Sequence, residues 1–493
     1  MESFFTEKRK KIVLFFIFAL AIFLIIFHFT DTPRVWVDEG IYTNIAESVA
    51  FHGMFGMQTE SGHFFRFGPL LSSNYPLIYP VAGSFKIFGK GLWQARLPMI
   101  IYMFLLVVLF YFFAKKRYGF YPAILSVLML LSFAPFYGNG RPVQGEVPGL
   151  VFLVLGSLLL LYFEKSDFKS KKLAIFAGLF LGLAAATKSL YLILLVAALP
   201  FTTFLWFKKI KDKKNTLLLL GTFFIPVFIW VMINSPTFDS AKRIIPSLIL
   251  QSGNNGGSSL SNTSPSLIET ISVNLVRFFS ESTPILFFFL FISVVFAFTW
   301  RYIKKGKQDF SMPECLIFFV IVLNWLGYLI GTGWYRYFFP AHTLLYLLFP
   351  GIIMMLAKSI DNKFQKRIIL IIPIVLVLFQ FFHSVFLSAT SLVVSRTRNS
   401  DMSNALSSIP ATKKVLFYST VDAIIFLRGD NYSQYLMIPG VFEAGRKDAI
   451  TDTSYDFILA DDSIQNTNTI SPCYTNEKVG KYLLFKKTAE CDN

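Results

Sequence analysis

The feature that most constrains this chain is a recurrence of apolar stretches long enough to cross a bilayer, separated by short polar connections. A helix needs about 20 residues to cross the roughly 30 Å hydrocarbon core. The first such run, KIVLFFIFALAIFLIIFHF, directly follows EKRK. It is too long for a removed signal and lacks a small-residue cleavage site, so it reads as a retained span. Further runs lie at 93–114, 120–137, 147–163, 173–187, 189–207, 216–234, 284–302, 314–331, 338–357 and 368–388. The expected fold is therefore an α-helical polytopic membrane protein with about eleven transmembrane helices. Hydrophobic residues make up 54% of the chain, more than a soluble chain of this length can hide.

The formal charge of +17 resembles that of a nucleic-acid binder, but the cations fall in clusters between apolar runs. These clusters are KRKK, KKR at 115–117, EKSDFKSKK, KKIKDKK, RYIKKGK and KSIDNKFQKR, and they occupy alternate connections. The positive-inside rule makes those connections cytoplasmic and argues against nucleic acid as a partner. The N-terminus is then cytoplasmic, and the intervening segments face outward: 31–92, 138–146, the turn at Lys188, 235–283, the turn around Arg336 and everything after 389. Trp36, Trp93, Trp300 and Trp334 fall near span ends, as an interfacial aromatic belt requires.

Two domains are expected, a transmembrane part over 1–388 with outer loops 31–92 and 235–283, and an extracytoplasmic α/β domain over 389–493. QSGNNGGSSLSNTSPS in the second loop is too polar to bury a core and reads as mobile. After 389, strand-like KKVLFYS, YDFILAD and KYLLFKK alternate with polar segments and the helix-like DAIIFLR. Cys473 and Cys491 are disulfide candidates, and Asn262 and Asn431 sit in glycosylation sequons.

Chemically useful side chains gather on the outward segments. Asp38 and Glu39 adjoin just beyond the first span. Asp38 reads either as a functional carboxylate or as the N-cap of a surface helix whose apolar face is Ile41, Ile45 and Val49. Adjacent helical residues point about 100° apart, so the pair cannot face one substrate atom; one acid suits a base and the other a support for the loop. Glu146 lies near Arg141, with which it either forms an ion pair or marks a polar cavity. Lys188 and Arg336 are either snorkelling cations or fixed charges for a departing phosphate.

In order and sidedness, VWVDEGIY, SNYPLIYPVAGSFKIFGKGLWQARLP, GRPVQGEVPGL, AGLFLGLAAATK and WYRYFFPA resemble GT-C membrane glycosyltransferases of the protein O-mannosyltransferase and aminoarabinose transferase type. The resemblance implies inverting transfer of a sugar from a polyprenyl-phosphate donor to a glycan, lipid or protein acceptor on the extracytoplasmic face. It makes Asp38, Glu39 and Glu146 the catalytic acids, with Asp38 as base. It gives Arg336, Lys188 and Arg66 to the donor phosphate, and Tyr75, Tyr79, Arg141 and Tyr335 to the acceptor or donor pocket. A divalent metal, if used, would fall to Asp38 and Glu146. Where many relatives have Lys-Pro-Pro, this chain has Asn74, Tyr75 and Pro76, so a phosphate-binding lysine is missing there and Arg66 or Lys86 is its candidate substitute. Loop 235–283 is too short for the β-trefoil of the eukaryotic mannosyltransferases, so protein as acceptor is not implied. A transporter would carry charges near the bilayer midplane within repeated halves, which this sequence does not display; a non-catalytic assembly protein is the remaining alternative.

Overall fold

The runs expected to cross the membrane are all helical in the computed structural model, which describes residues 6–207, 210, 213–235, 242, 266–305, 310–331, 333–388, 399–438, 442–461, 470 and 472–488. They form α1 (Glu7–Ile26), α4 (Leu92–Tyr118), α5 (Phe120–Leu131), α6 (Ala134–Gly140), α7 (Glu146–Lys165), α8 (Lys171–Thr187), α9 (Ser189–Trp206), α10 (Lys213–Asn234), α12 (Ser282–Lys305), α13 (Met312–Ile330), α14 (Tyr335–Lys358) and α15 (Lys363–Phe382). Among the described residues eight helices are long and apolar enough to span, or nine if α5 and α6 form one span bent by 65°. This is fewer than the eleven expected, for three physical reasons. The run 120–137 breaks at Ser132 and Phe133, α8 has only 17 residues, and α1 carries Lys and Arg through its first turns.

α14 is buried along nearly its whole length and forms the centre of the bundle, whereas α15 and α10 present most of their surface to the surroundings. Lipid tails are as apolar as leucine, so helix association depends on close packing rather than on the hydrophobic effect. The Gly178-xxx-Gly182 stripe of α8 shows this. A Cβ at Gly178 would strike the Leu219 carbonyl, and one at Gly182 the Phe223 carbonyl, both on α10.

The cationic connections meet at one end of the bundle. Glu314, fully buried at the start of α13, is held by Arg117 at 2.5 Å and by Arg301 at 3.5 Å, and accepts from the Tyr118 hydroxyl at 2.7 Å. Ser311 caps this helix through a reciprocal box with Glu314. At the same end, Lys165 donates to the Lys116 carbonyl. Helix direction puts Glu146, Lys188 and Arg336 at the other end.

Between α1 and α4 the chain forms α2 (Val37–His52), a hairpin of β1 (Met57–Glu60) and β2 (His63–Phe65), and α3 (Tyr75–Phe88). The segment 236–241 and 243–265 lies outside the described residues, and with it the Gly, Ser and Asn-rich stretch and Asn262. The rest of that connection is not loop but α11 (Leu267–Ser280), anchored by Asn274, whose amide donates to the carbonyls of Tyr328, Leu329 and Gly331.

The C-terminal domain follows α16 (Ser400–Ser407) and comprises β3 (Val415–Tyr418), β4 (Tyr432–Ile438), β5 (Phe442–Ala444), β6 (Phe457–Asp461), β7 (Tyr474–Val479) and β8 (Tyr482–Lys487). They build one sheet in the order β5-β4-β3-β6-β8-β7, with β3 parallel to β4 and β6 and the other pairs antiparallel. The three strand-like runs are β3, β6 and β8, whereas DAIIFLR contributes to a 3-10 helix, Val421–Phe426. That turn packs so closely on α2 that a Cβ at Gly40 would lie 2.6 Å from the Asp422 Cα. Asn44 completes the junction, donating to the Tyr432 hydroxyl at 2.7 Å and accepting from the Gln58 amide at 2.9 Å. Cys473 is disulfide-bonded, and Cys491 lies outside the described residues.

The α8–α10 contact sets a stability test. Gly182→Leu should lower the thermal-unfolding midpoint of the detergent-solubilised protein by several degrees, because the two backbones must part. Gly221→Ala, where a Cβ meets nothing within 4 Å, should leave it unchanged.

Candidate active site

The first turn of α2 sends its two acids in different directions. The N-cap is Trp36, in extended conformation, so Asp38 stands inside the helix rather than capping it. Ile41 and Ile45 are buried, as the surface-helix reading expects. Asp38 Oδ2 meets Arg336 Nη1 at 2.6 Å, while Glu39 turns into the protein and meets Arg96.

Glu39 and Arg96 are both fully buried, and their contact is bidentate: Nε to Oε1 and Nη2 to Oε2, each 2.8 Å. The Val143 amide also donates to Oε1, and Arg96 donates to the carbonyls of Phe29 and Pro33. With both oxygens engaged and no exposed surface, Glu39 is placed to hold the connection carrying Asp38, not to meet a substrate. Arg96 was not among the residues singled out from the sequence. Its signal is a cation within an apolar span, which has to find a partner.

Glu146 opens α7 and is also fully buried. Its partner is Lys188 rather than Arg141. Lys188 lies in the break between α8 and α9, in extended conformation, where Ser73 pairs with it as an isolated β-bridge; it is buried and does not snorkel. Ser73 Oγ accepts from the Gly145 amide at 3.2 Å, and the Asn74 amide donates to the Thr187 carbonyl at 2.9 Å, so one short backbone junction aligns both members of the pair.

Tyr337 links the two ion pairs. Its hydroxyl accepts from Arg336 Nη2 at 2.8 Å, and its ring lies 4.8 Å from the Arg336 guanidinium and 5.4 Å from Lys188 Nζ. Trp334 covers the same guanidinium at 5.1 Å. Tyr42, hydrogen-bonded to Ser72 Oγ at 2.6 Å, stands near both carboxylates; burial first, then the charge of Asp38 and that of Glu146, push its hydroxyl far above its usual range. Tyr42 and Tyr337 were likewise missed, because neither sits in a pattern distinguishable from an interfacial aromatic.

The cluster thus holds two carboxylates and two cations. The side chains of Glu146 and Lys188 are 0% and 2% exposed, whereas those of Asp38 and Arg336 are 21% and 18% exposed, so one pair is sealed and the other reachable. Glu146 Oε2 and Arg336 Nε are enclosed and have no hydrogen-bond partner among the described residues.

Other expected site residues lie elsewhere. Arg141 donates to the carbonyls of Leu24, Phe27 and Thr32, tying down the end of α1. The Tyr335 hydroxyl pairs with His342 Nδ1 at 2.9 Å within the bundle. The Tyr75 hydroxyl donates to the Pro226 carbonyl, Tyr79 is 48% exposed, and Arg66 is exposed after β2. A groove lined by Asp31, Lys90, Trp93, Asn404 and Arg428 does not include the cluster. The residues do not fit a divalent metal either. Among the described residues no three His, Cys, Asp or Glu side chains gather, and both cluster carboxylates already carry a cation.

Residues 77–232 match the family model described as dolichyl-phosphate-mannose-protein mannosyltransferase. No curated protein matches the chain. Among solved structures, ArnT from Cupriavidus metallidurans bound to undecaprenyl phosphate superposes with a TM-score of 0.62 at 12% identity, covering 97% of this chain and 98% of that one. The Archaeoglobus fulgidus oligosaccharyltransferase superposes with a TM-score of 0.56 at 11% identity, covering 96% of this chain and 73% of that one. The archaeal oligosaccharyltransferase AglB of the same organism, in complex with an inhibitory peptide and a dolichol-phosphate, gives 0.55 at 10% identity, covering 100% and 75%. The fold is therefore that of the GT-C membrane glycosyltransferases. Over residues 77–232 the chain resembles the mannosyltransferase family, and in fold it resembles ArnT.

The two acids of α2 should separate experimentally. Breaking a buried pair from one side costs about 3–5 kcal/mol. Arg96→Met should therefore strongly lower the unfolding midpoint, and Glu39→Leu combined with Arg96→Met should recover part of the loss. Asp38→Asn, at the partly open pair, should lower the midpoint by clearly less than Arg96→Met does.

Proposed function

We propose that this protein is an inverting glycosyltransferase that moves a sugar from a polyprenyl-phosphate donor to an acceptor hydroxyl at the extracytoplasmic face. The observation that carries this reading is the meeting of Asp38, Glu146, Lys188 and Arg336 at one end of a GT-C bundle. Two solved structures of this fold contain a lipid phosphate, undecaprenyl phosphate in one and a dolichol-phosphate in the other. Charge supports this side: the cationic connections meet at the opposite end, and the positive-inside rule favours the cytoplasm for them.

Displacement at an acetal carbon needs a base on one side and charge stabilisation of the leaving group on the other. Asp38, the reachable carboxylate, takes the proton of the acceptor hydroxyl as its oxygen bonds to the anomeric carbon from the face opposite the phosphate. The bond from that carbon to the phosphate oxygen breaks, and its electron pair leaves with the polyprenyl phosphate. Arg336 meets this charge through a planar fork suited to phosphate, and Lys188 adds a second positive charge across the Tyr337 ring. Glu146 holds Lys188 in place, and Glu39 with Arg96 fixes the helix start that aims Asp38. The donor's isoprenoid tail lies against the apolar helices, so no nucleotide-sugar domain is needed.

The test is sugar transfer in proteoliposomes from radiolabelled polyprenyl-phosphate hexoses and pentoses. Asp38→Asn should lower kcat at least about 100-fold, the scale of a lost general base. Arg336→Lys should raise KM for the lipid donor, because the bidentate fork is lost while the charge remains. Full turnover by Asp38→Asn would remove the base from this assignment.

A further inference from the structure

Resting on the donor reading above, we infer that the lipid phosphate takes Arg336 away from Asp38, so that donor binding itself releases the base. As the structure stands, Asp38 cannot serve an acceptor freely, because its Oδ2 lies 2.6 Å from Arg336 Nη1. That oxygen is occupied by the guanidinium, and the carboxylate is four-fifths enclosed. The cations have no spare capacity either: Lys188 is bound by Glu146, and Arg336 by Asp38. The cluster is balanced, two charges of each sign, and an arriving phosphate adds at least one negative charge.

That anion cannot share the site without taking a cation from a carboxylate, since like charges in a poorly solvated site repel strongly. Exposure decides which pair gives way. Glu146 and Lys188 are closed to solvent, whereas Asp38 and Arg336 are both about one-fifth exposed. The guanidinium Nε–H is enclosed and has no hydrogen-bond partner among the described residues, so it offers the phosphate a further donor once the Asp38 contact opens. Tyr337 holds the other edge of Arg336, with its hydroxyl at 2.8 Å from Nη2 and its ring beneath the guanidinium, so Arg336 stays in place while its anion changes. The product of the exchange is a phosphate on Arg336 and a free Asp38 carboxylate facing the acceptor side. The order of binding is thereby fixed: donor first, acceptor second. Without a donor the base stays capped, which also disfavours unproductive capture of the acceptor.

The exchange is readable without knowing sugar or acceptor, by measuring amidation of Asp38 with a water-soluble carbodiimide and an amine, quantified by peptide mass spectrometry on the full chain in detergent. Undecaprenyl phosphate is the probe, undecaprenol its phosphate-free control, and the exposed Asp430 the internal reference. Binding is followed separately as a rise in the unfolding midpoint. The expected result is that undecaprenyl phosphate raises Asp38 amidation several-fold relative to Asp430, and undecaprenol does not. Arg336→Gln should show high amidation with or without lipid, and Arg336→Lys is the second variant should that substitution impair folding. A rise in the midpoint with unchanged Asp38 amidation would overturn the exchange and leave the donor reading standing. No binding of undecaprenyl phosphate would overturn the donor reading and the exchange together.

Discussion

The structure depends on how charge is held at the boundary between a low-dielectric bundle and water. An unpaired charge in such a place is strongly unfavourable, whereas a pair with its hydrogen bonds completed is tolerated. This chain meets that constraint with three pairs at one end, graded by exposure: Glu39 with Arg96 and Glu146 with Lys188 enclosed, Asp38 with Arg336 partly open. At the opposite end Glu314 gathers Arg117 and Arg301. The helices between are nearly free of charge, so each end can be organised for its own purpose.

Gradation of exposure separates support from chemistry. The enclosed pairs join segments distant in sequence: α2 to α4 through Arg96, and α7 to the α8–α9 break through Lys188. They fix backbone positions, and Asp38 and Arg336 inherit that precision. Trp334 and Tyr337 bracket the guanidinium, so its orientation depends on packing as well as on its anion. The C-terminal domain contributes from behind, pressing its 3-10 turn onto α2 at Gly40, where any larger residue would push the helix bearing Asp38 away.

Much of this was readable from local rules. Charge alternation between apolar runs placed Asp38, Glu146, Lys188 and Arg336 on one side, and the structure brings those four together. Partnership was not readable, because it is decided by tertiary packing: Glu146 lay near Arg141 in sequence yet pairs with Lys188, and Arg141 serves the carbonyls at the end of α1 instead. The adjacent acids of α2 could be told apart in direction by helical geometry, but not in role, because the role of Glu39 depends on Arg96. The break at Ser132 and Phe133 precedes Pro135 in an otherwise apolar run, and β7, whose Thr475, Asn476, Glu477 and Lys478 are all exposed, lacks the alternation that reveals a half-buried strand. The break carries a local signal in Pro135, whereas β7 owes its form to pairing with β8.

We propose the two cations at the Asp38 end, Arg336 and Lys188, as the seat of a lipid phosphate. A cryo-electron microscopy structure of the full chain with undecaprenyl phosphate tests it most directly. The expected result is phosphate density against the Arg336 guanidinium, on the side of Lys188 and within reach of Tyr337, with the isoprenoid tail leaving between helices toward lipid. Phosphate density at any other place on the protein, with Asp38 and Arg336 still paired, would contradict it.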